Sequence, residues 1–322
     1  MRKLIALLKV GVPIGIGIYL VWYFISGLTP LEISQVKASF VEADYFWVIL
    51  GLLVSFLSHL SRAKRWLLLV YPMGYFPSIA SAFHGVMAGY IINYTIPRSG
   101  EFARAGLMAK YEGVPFEKGF GTIVVERIFD LLMLGLVFLI TGYMQIDAKG
   151  FSAIAQSNET DQNQSLPIIV LIGMVLVVSA IIAYFFSPRI QDFIREKLRG
   201  IWEGLTSFWK MQEKWNFLGH TFFIWVCYVG GIWIFAQAFP ETADMPIGCV
   251  FGAFVVGATA IALLPGGLGA YPLWVSAVLN LYGIDFPGYG VFMWVAITIL
   301  MIVFGLLALF LIQRKKEVDT KR

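Results

Sequence analysis

Charge is what this chain has least of. Asp, Glu, Lys and Arg make up 14% of its 322 residues while 59% are hydrophobic, and its mean hydropathy of +0.77 lies far outside the range of soluble globular domains. That scarcity excludes a soluble enzyme or binding module and places the chain in a membrane. Cysteine is nearly absent too. Cys227 and Cys249 both sit in apolar segments without metal-ligand spacing, so neither a disulfide framework nor a metal site is expected. With three histidines and no zinc motif, nucleophile elbow or phosphate loop, the chain offers no catalytic residues and no cofactor site. The net charge of +4 reads as the basic bias of cytoplasmic loops, and no nucleic-acid partner is expected.

What the chain has in abundance is long apolar runs. A helix needs roughly 20 apolar residues to cross a bilayer core, and six stretches qualify: 4–26, 45–61, 119–141, 166–186, 217–239 and 289–312. Arg2 and Lys3 precede the first, but it is too long for a signal peptide and has no small-residue cleavage site. It reads as a retained helix. Nineteen of the 24 Lys and Arg fall at 2–9, 62–65, 110–118, 189–214 and 314–322, which makes those segments and both termini cytoplasmic. The segments 27–44, 142–165, 240–246 and 281–288 hold only Lys37 and Lys149 but nine of the 20 acidic residues. They read as external, so the chain is expected to be a multi-pass protein of the cell (inner) membrane.

Two further apolar regions are interrupted by Pro and Gly: 79–109, with "NYTIPRSGEFARAG" at its centre, and 247–280, with "LPGGLGAYP". The charge assignment makes the first enter and leave on the cytoplasmic face and the second on the external face. Each is either two short spans or a re-entrant hairpin, and half-segments of roughly 14 to 18 residues are short for spanning. Opposed hairpins are therefore expected. The order of span, broken hairpin and span then occurs twice with inverted topology, in halves near 45–141 and 217–312 of a single domain covering 1–322. Matched interrupted segments point to a binding site near the midplane, because irregular backbone at that depth must be buried or line a cavity. Pro97, Gly100, Pro265, Gly266, Gly267 and Tyr271 are the expected break and gate residues. The expected fold class is an all-α polytopic membrane protein of about six full spans plus two hairpins.

The span 119–141 carries Glu126, Arg127 and Asp130. At 1.5 Å per residue from Lys118, Glu126 lies about 12 Å and Asp130 about 18 Å deep, where each charge costs several kcal/mol to insert. Partners are near in sequence: Arg98, Glu101 and Arg104 belong to the first hairpin. The six would form a neutral set, either a structural ion-pair network or an anion site, since guanidinium forks suit phosphate. A half-helix starting near Pro97 to Gly100 would add its positive end. Arg98, Arg104, Arg127 and Asn93 are thus candidate headgroup ligands, with Glu101, Glu126 and Asp130 as counter-ions or proton carriers. Arg62, Lys64 and Arg65 read mainly as topology determinants following a span, although Arg62 is close enough to the bilayer to meet a headgroup. Residues 188–215 have apolar positions at helical spacing with basic residues between, as in a cytoplasmic interfacial helix.

The stretches "NYTIPRSGEFARA", "ERIFD" and "LPGGLGA" together resemble the transmembrane region of the lysylphosphatidylglycerol synthases, a flippase-like family, and the resemblance covers almost the whole chain. It maps onto Asn93, Pro97, Arg98, Gly100 and Glu101, then Glu126 and Arg127, then Pro265, Gly266 and Gly267. In full-length members a soluble domain aminoacylates phosphatidylglycerol and the membrane part flips the product. This chain ends shortly after its last expected span, so the resemblance implies a stand-alone member without the aminoacyltransferase. The expectation is a lipid flippase acting on an anionic phospholipid or an isoprenoid-phosphate lipid, with a separate lipid-modifying enzyme as a possible partner. The rival readings are an integral-membrane enzyme of lipid phosphates and a non-transporting accessory protein.

Overall fold

The computed structural model of the protein describes residues 18–95, 99–146, 206 and 208–320. The expected span 166–186, most of the span 4–26 and the interfacial helix up to residue 205 lie outside these, as do Pro97 and Arg98. The described residues are helical, with no strand among them. A short α1 (Ile18–Gly27) is followed by α2 (Pro30–Glu42), which Pro30 and a capping box between Thr29 and Glu32 start; the capping box gives free N–H groups partners, and Pro30 has no N–H to satisfy. Segment 27–44, expected to be external, is therefore largely a helix. Phe40 of α2 packs on Phe292.

The helix α3 runs from Tyr45 to Val70, starting at Asp44, which accepts a hydrogen bond from the Phe46 N–H at 3.0 Å. The expected end of this span at residue 61 is thus corrected. The helix continues through Arg62 and Arg65 until the chain turns through Tyr71–Met73, because Trp66 to Val70 restores the apolar face. Next come α4 (Ile79–Thr95) and α5 (Gly100–Glu112), then α6 (Phe116–Ile146), which is helical across the whole expected span 119–141. The second half holds α7 (Lys214–Ala236), α8 (Ile247–Leu263), α9 (Ala270–Leu281) and α10 (Pro287–Thr320).

Among the described residues three helices are long and apolar enough to cross a membrane: Tyr45–Met73, Lys214–Ala236 and Pro287–Ile312. The four limbs α4, α5, α8 and α9 have 17, 13, 17 and 12 residues, or about 18 to 26 Å at 1.5 Å per residue.

Between helices in lipid the hydrophobic effect contributes little, so close packing at small residues must hold the fold. The sequence supplies them at the contacts. Phe235 of α7 lies against Gly51 of α3, and Ile91 and the Met87 carbonyl of α4 lie against Gly305 of α10. One core gathers Trp66, Met87, Met108 and Ile123 from α3 to α6. A second gathers Phe235, Phe239, Tyr289 and Phe292 from the second half, and a third, smaller one joins Leu69, Val125, Met211 and Phe217. Outward faces remain apolar, as at Leu131, Leu139, Phe222 and Leu306.

Candidate functional site: a buried arginine and carboxylate cluster

Helical periodicity brings the charges together. On α6, Glu126 and Asp130 are i and i+4 and share one face. On α3, His59, Arg62, Arg65 and Trp66 fall at helical spacing toward them, while α5 presents Arg104 and α7 presents Thr221 and Tyr228. Arg65 is wholly buried. Its Nε lies 3.3 Å from Glu126 Oε1, and its Nη1 lies 2.8 Å from Asp130 Oδ1 and 3.1 Å from Thr221 Oγ1. Arg62 donates to Asp130 Oδ2 and to the Tyr228 hydroxyl, both at 3.0 Å. Arg104 reaches Glu126 Oε2 at 2.8 Å. Guanidinium faces are stacked too: Arg104 lies 4.9 Å from the Trp66 ring centroid and Arg65 lies 5.5 Å from that of Phe217. Trp66 is fixed in turn by donating to Thr122 Oγ1 at 2.9 Å.

The rim is wetter. Arg127 is 45% exposed and Glu101 27%; they pair at 3.3 Å, and Arg127 also reaches Asp130 at 3.4 Å. Three arginines (Arg62, Arg65, Arg104) and two carboxylates (Glu126, Asp130) are buried, so the interior of the cluster carries one positive charge in excess. An unneutralised buried cation is costly by several kcal/mol. Consistent with that excess, Arg62 Nε, Arg65 Nη2, and Arg104 Nε and Nη2 have no hydrogen-bond partner among the described residues.

A small cavity of about 20 Å³ opens between α3, α4, α5 and α6, lined among others by Arg62, Tyr90, Asn93, Glu101, Arg104 and Arg127. It holds about one water. Its roof is the start of α5, where Asn93 Oδ1 accepts the Gly100 N–H at 2.6 Å. A Cβ at Gly100 would run into the Gly89 carbonyl and the Asn93 amide, so only glycine lets the two limbs close. At the expected positive end of this half-helix, the Gly100 N–H is thus engaged by Asn93.

The structure brings together Asn93, Gly100, Glu101, Arg104, Glu126, Arg127 and Asp130, while Pro97 and Arg98 lie outside the described residues. Pro265, Gly266 and Gly267 form a tight turn between α8 and α9 that meets α4 directly. Gly266 has φ +58° and lies against the Tyr94 ring, which leaves no room for a side chain, and its carbonyl accepts from Trp294 Nε1 at 2.8 Å. Tyr271 is buried in the second-half core, against Gly257 and donating to Met293 Sδ at 3.4 Å. Sequence reasoning missed Arg65 as a member of the cluster and treated Arg62 mainly as a loop charge. Exposed Lys64 faces away from both. The signal was present in the apolar run that resumes at Trp66, which puts both arginines inside a helix.

The family model described as "Lysylphosphatidylglycerol synthase TM region" matches residues 10–308. The chain belongs to this family. As a member of it, the protein is membrane-embedded. A UPF0104 membrane protein of Methanocaldococcus jannaschii is 26% identical over 128 residues, covering 36% of this chain and 38% of that protein. The match thus spans well under half the length of that curated relative. No solved structure matches the chain.

Proposed function

We propose that the protein binds the phosphate of an anionic lipid headgroup in the arginine cluster and moves that lipid across the membrane. The observation that carries this reading is the buried excess of one guanidinium over carboxylates, with unpaired N–H groups on Arg62 and Arg104 beside a cavity. Guanidinium forks match phosphate oxygens in geometry and charge. In the reading, Arg62, Arg104, Arg127 and Arg98 are headgroup ligands, and Glu101, Glu126 and Asp130 hold them in place until a phosphate takes over. An anionic phospholipid and an isoprenoid-phosphate lipid share this chemistry.

The cavity of about 20 Å³ is too small for phosphate, so entry requires the limbs α4 and α5 to separate from α3 and α6. The short limbs support opposed re-entrant hairpins related by an inverted repeat, with halves near 45–141 and 217–312 and both termini cytoplasmic. Contact between Tyr94 and Gly266 then acts as the gate between two alternately open states.

The test is a proteoliposome assay with fluorescent phosphatidylglycerol, phosphatidic acid and polyprenyl phosphate. Arg104→Lys, which keeps the charge but loses the fork, should slow transbilayer movement of the accepted lipid tenfold or more, and inorganic phosphate should compete weakly. Equal rates for wild type, Arg104→Lys and protein-free vesicles would refute transport. A change in lipid mass after incubation would support the enzymatic alternative instead.

A further inference from the structure

The carboxylates of the cluster are poor places to carry a proton. Glu126 is held by Arg65 and Arg104, and Asp130 by Arg62, Arg65 and Arg127, so protonating either one strips partners from buried cations. His59 stands in a different position. It is 3% exposed, and neither ring nitrogen has a hydrogen-bond partner among the described residues. The ring meets Tyr90 of α4 at 4.9 Å, nearly edge-on, and Tyr228 of α7 at 6.5 Å. A neutral imidazole offers one donor and one acceptor, and a buried polar group that uses neither within the protein calls for an explanation.

The charged surroundings of His59 converge on the anion site. On its own helix Arg62 follows by one turn, on the same face. From α4 comes Tyr90, which lines the cavity together with Arg62 and Arg104. Tyr228 of α7 accepts from Arg62. From α6, Asp130 bonds Arg62 on its far side, and Arg127 shares the cavity wall. With the cluster carrying excess positive charge, a second cation at His59 is opposed at short range. A singly charged headgroup anion seated on Arg62 cancels that excess and removes the opposition.

We propose that His59 is a proton-binding site coupled to the headgroup site, so that a lipid phosphate and a proton drawn from water are taken up together. The inference rests on the headgroup reading above. Coupling is reciprocal: lipid binding draws a proton onto His59, and falling pH strengthens lipid binding, by at most about tenfold per pH unit for one proton. The device would let a proton gradient drive an anionic lipid without ever protonating the carboxylates that hold the arginines.

The experiment is calorimetric titration of the purified full-length protein in micelles with dihexanoyl phosphatidylglycerol, at one pH in buffers of low and high ionisation enthalpy. A parallel titration uses inorganic phosphate. Wild type should take up as much as one proton per lipid, and His59→Gln should bind the lipid with a heat independent of buffer and an affinity independent of pH. Should the Gln variant not fold, His59→Phe keeps a ring between the two tyrosines and serves the same comparison. Uptake that persists without His59 assigns the proton to a carboxylate and overturns the proposal. Lipid binding by wild type without proton uptake overturns it while leaving the headgroup reading intact. No binding of either ligand removes both, and uptake with inorganic phosphate alone supports the coupling but replaces the lipid as ligand.

Discussion

Arg65 on α3 lies 2.8 Å from Asp130 on α6 with its guanidinium shielded from solvent. The same side chain also reaches Glu126, so it is the bridge between two carboxylates that share one helix face. Removing it takes one partner from each of two buried acids. Arg62 still holds Asp130 and Arg104 still holds Glu126, so Arg65→Ala loses charged hydrogen bonds without stranding an acid and should destabilise the protein by about 1.5 to 3 kcal/mol. Thermal unfolding in detergent checks this, and a loss under about 1 kcal/mol would mean that water already solvates the cluster.

Arg127 allows function to be separated from stability. Its pairing with Glu101 is at the half-exposed rim, where such pairs contribute about 0 to 1 kcal/mol. Arg127→Gln should therefore unfold at nearly the wild-type temperature yet move labelled anionic lipid several-fold more slowly in proteoliposomes. Wild-type transport in that variant removes Arg127 from the set of headgroup ligands.

The contact between Tyr94 and Gly266 predicts an asymmetric mutant pair. Gly266→Ala meets two obstacles: a backbone at φ +58° and the Tyr94 ring. Left-handed backbone costs a non-glycine residue about 1 to 2 kcal/mol, and the collision adds to it. In Gly266→Ala with Tyr94→Ala the steric part disappears and the backbone part stays, so the double variant should be more stable than the sum of the single losses implies. Additive losses in thermal unfolding would place Tyr94 elsewhere.

One pH effect is accessible outside the membrane-spanning helices. Glu32 accepts from both the backbone N–H and the hydroxyl of Thr29, each at 2.6 Å, and the hydroxyl bond, then the backbone bond, holds its carboxyl below the ordinary value. A lowered carboxyl stabilises the fold above the unfolded-state pKa, and that contribution fades as pH falls through the folded value. Thr29→Val should raise the Glu32 titration midpoint, as followed by carbon NMR of labelled glutamate. An unchanged midpoint would show that the capping box does not persist in solution.

How far the sequence could be read depended on whether the information was local. Apolar run length, the alternation of basic and acidic segments, and the breaks at Pro97 and Pro265 are properties of short stretches. They sufficed for a helical membrane protein, for the family, and for pairing Glu126 with Arg104, whereas Asp130 is held by Arg62 and Arg65 of α3. The capping of α2 by Thr29 and Glu32 is equally local, although it went unread. Where the reading failed at Arg62 and Arg65, basic residues at the end of an apolar run looked like a loop because span length was counted against charge alone. The five residues from Trp66 to Val70 carried the correction.

Sequence by itself determined the solvent of this protein, its helices and its inventory of charges, because hydropathy and helical periodicity depend only on near neighbours. Tertiary structure decided which charges meet. Glu101, Glu126 and Asp130 could have been neutralised by Arg98, Arg104 and Arg127 alone. Packing of α3 against α6 and α7 instead brought Arg62 and Arg65 into the same low-dielectric space and turned a neutral set into a cationic one. The same packing left His59 without a hydrogen-bond partner beside that excess charge, and set Tyr94 on Gly266. Those outcomes depend on contacts between residues about 60 to 170 positions apart, which no local pattern encodes.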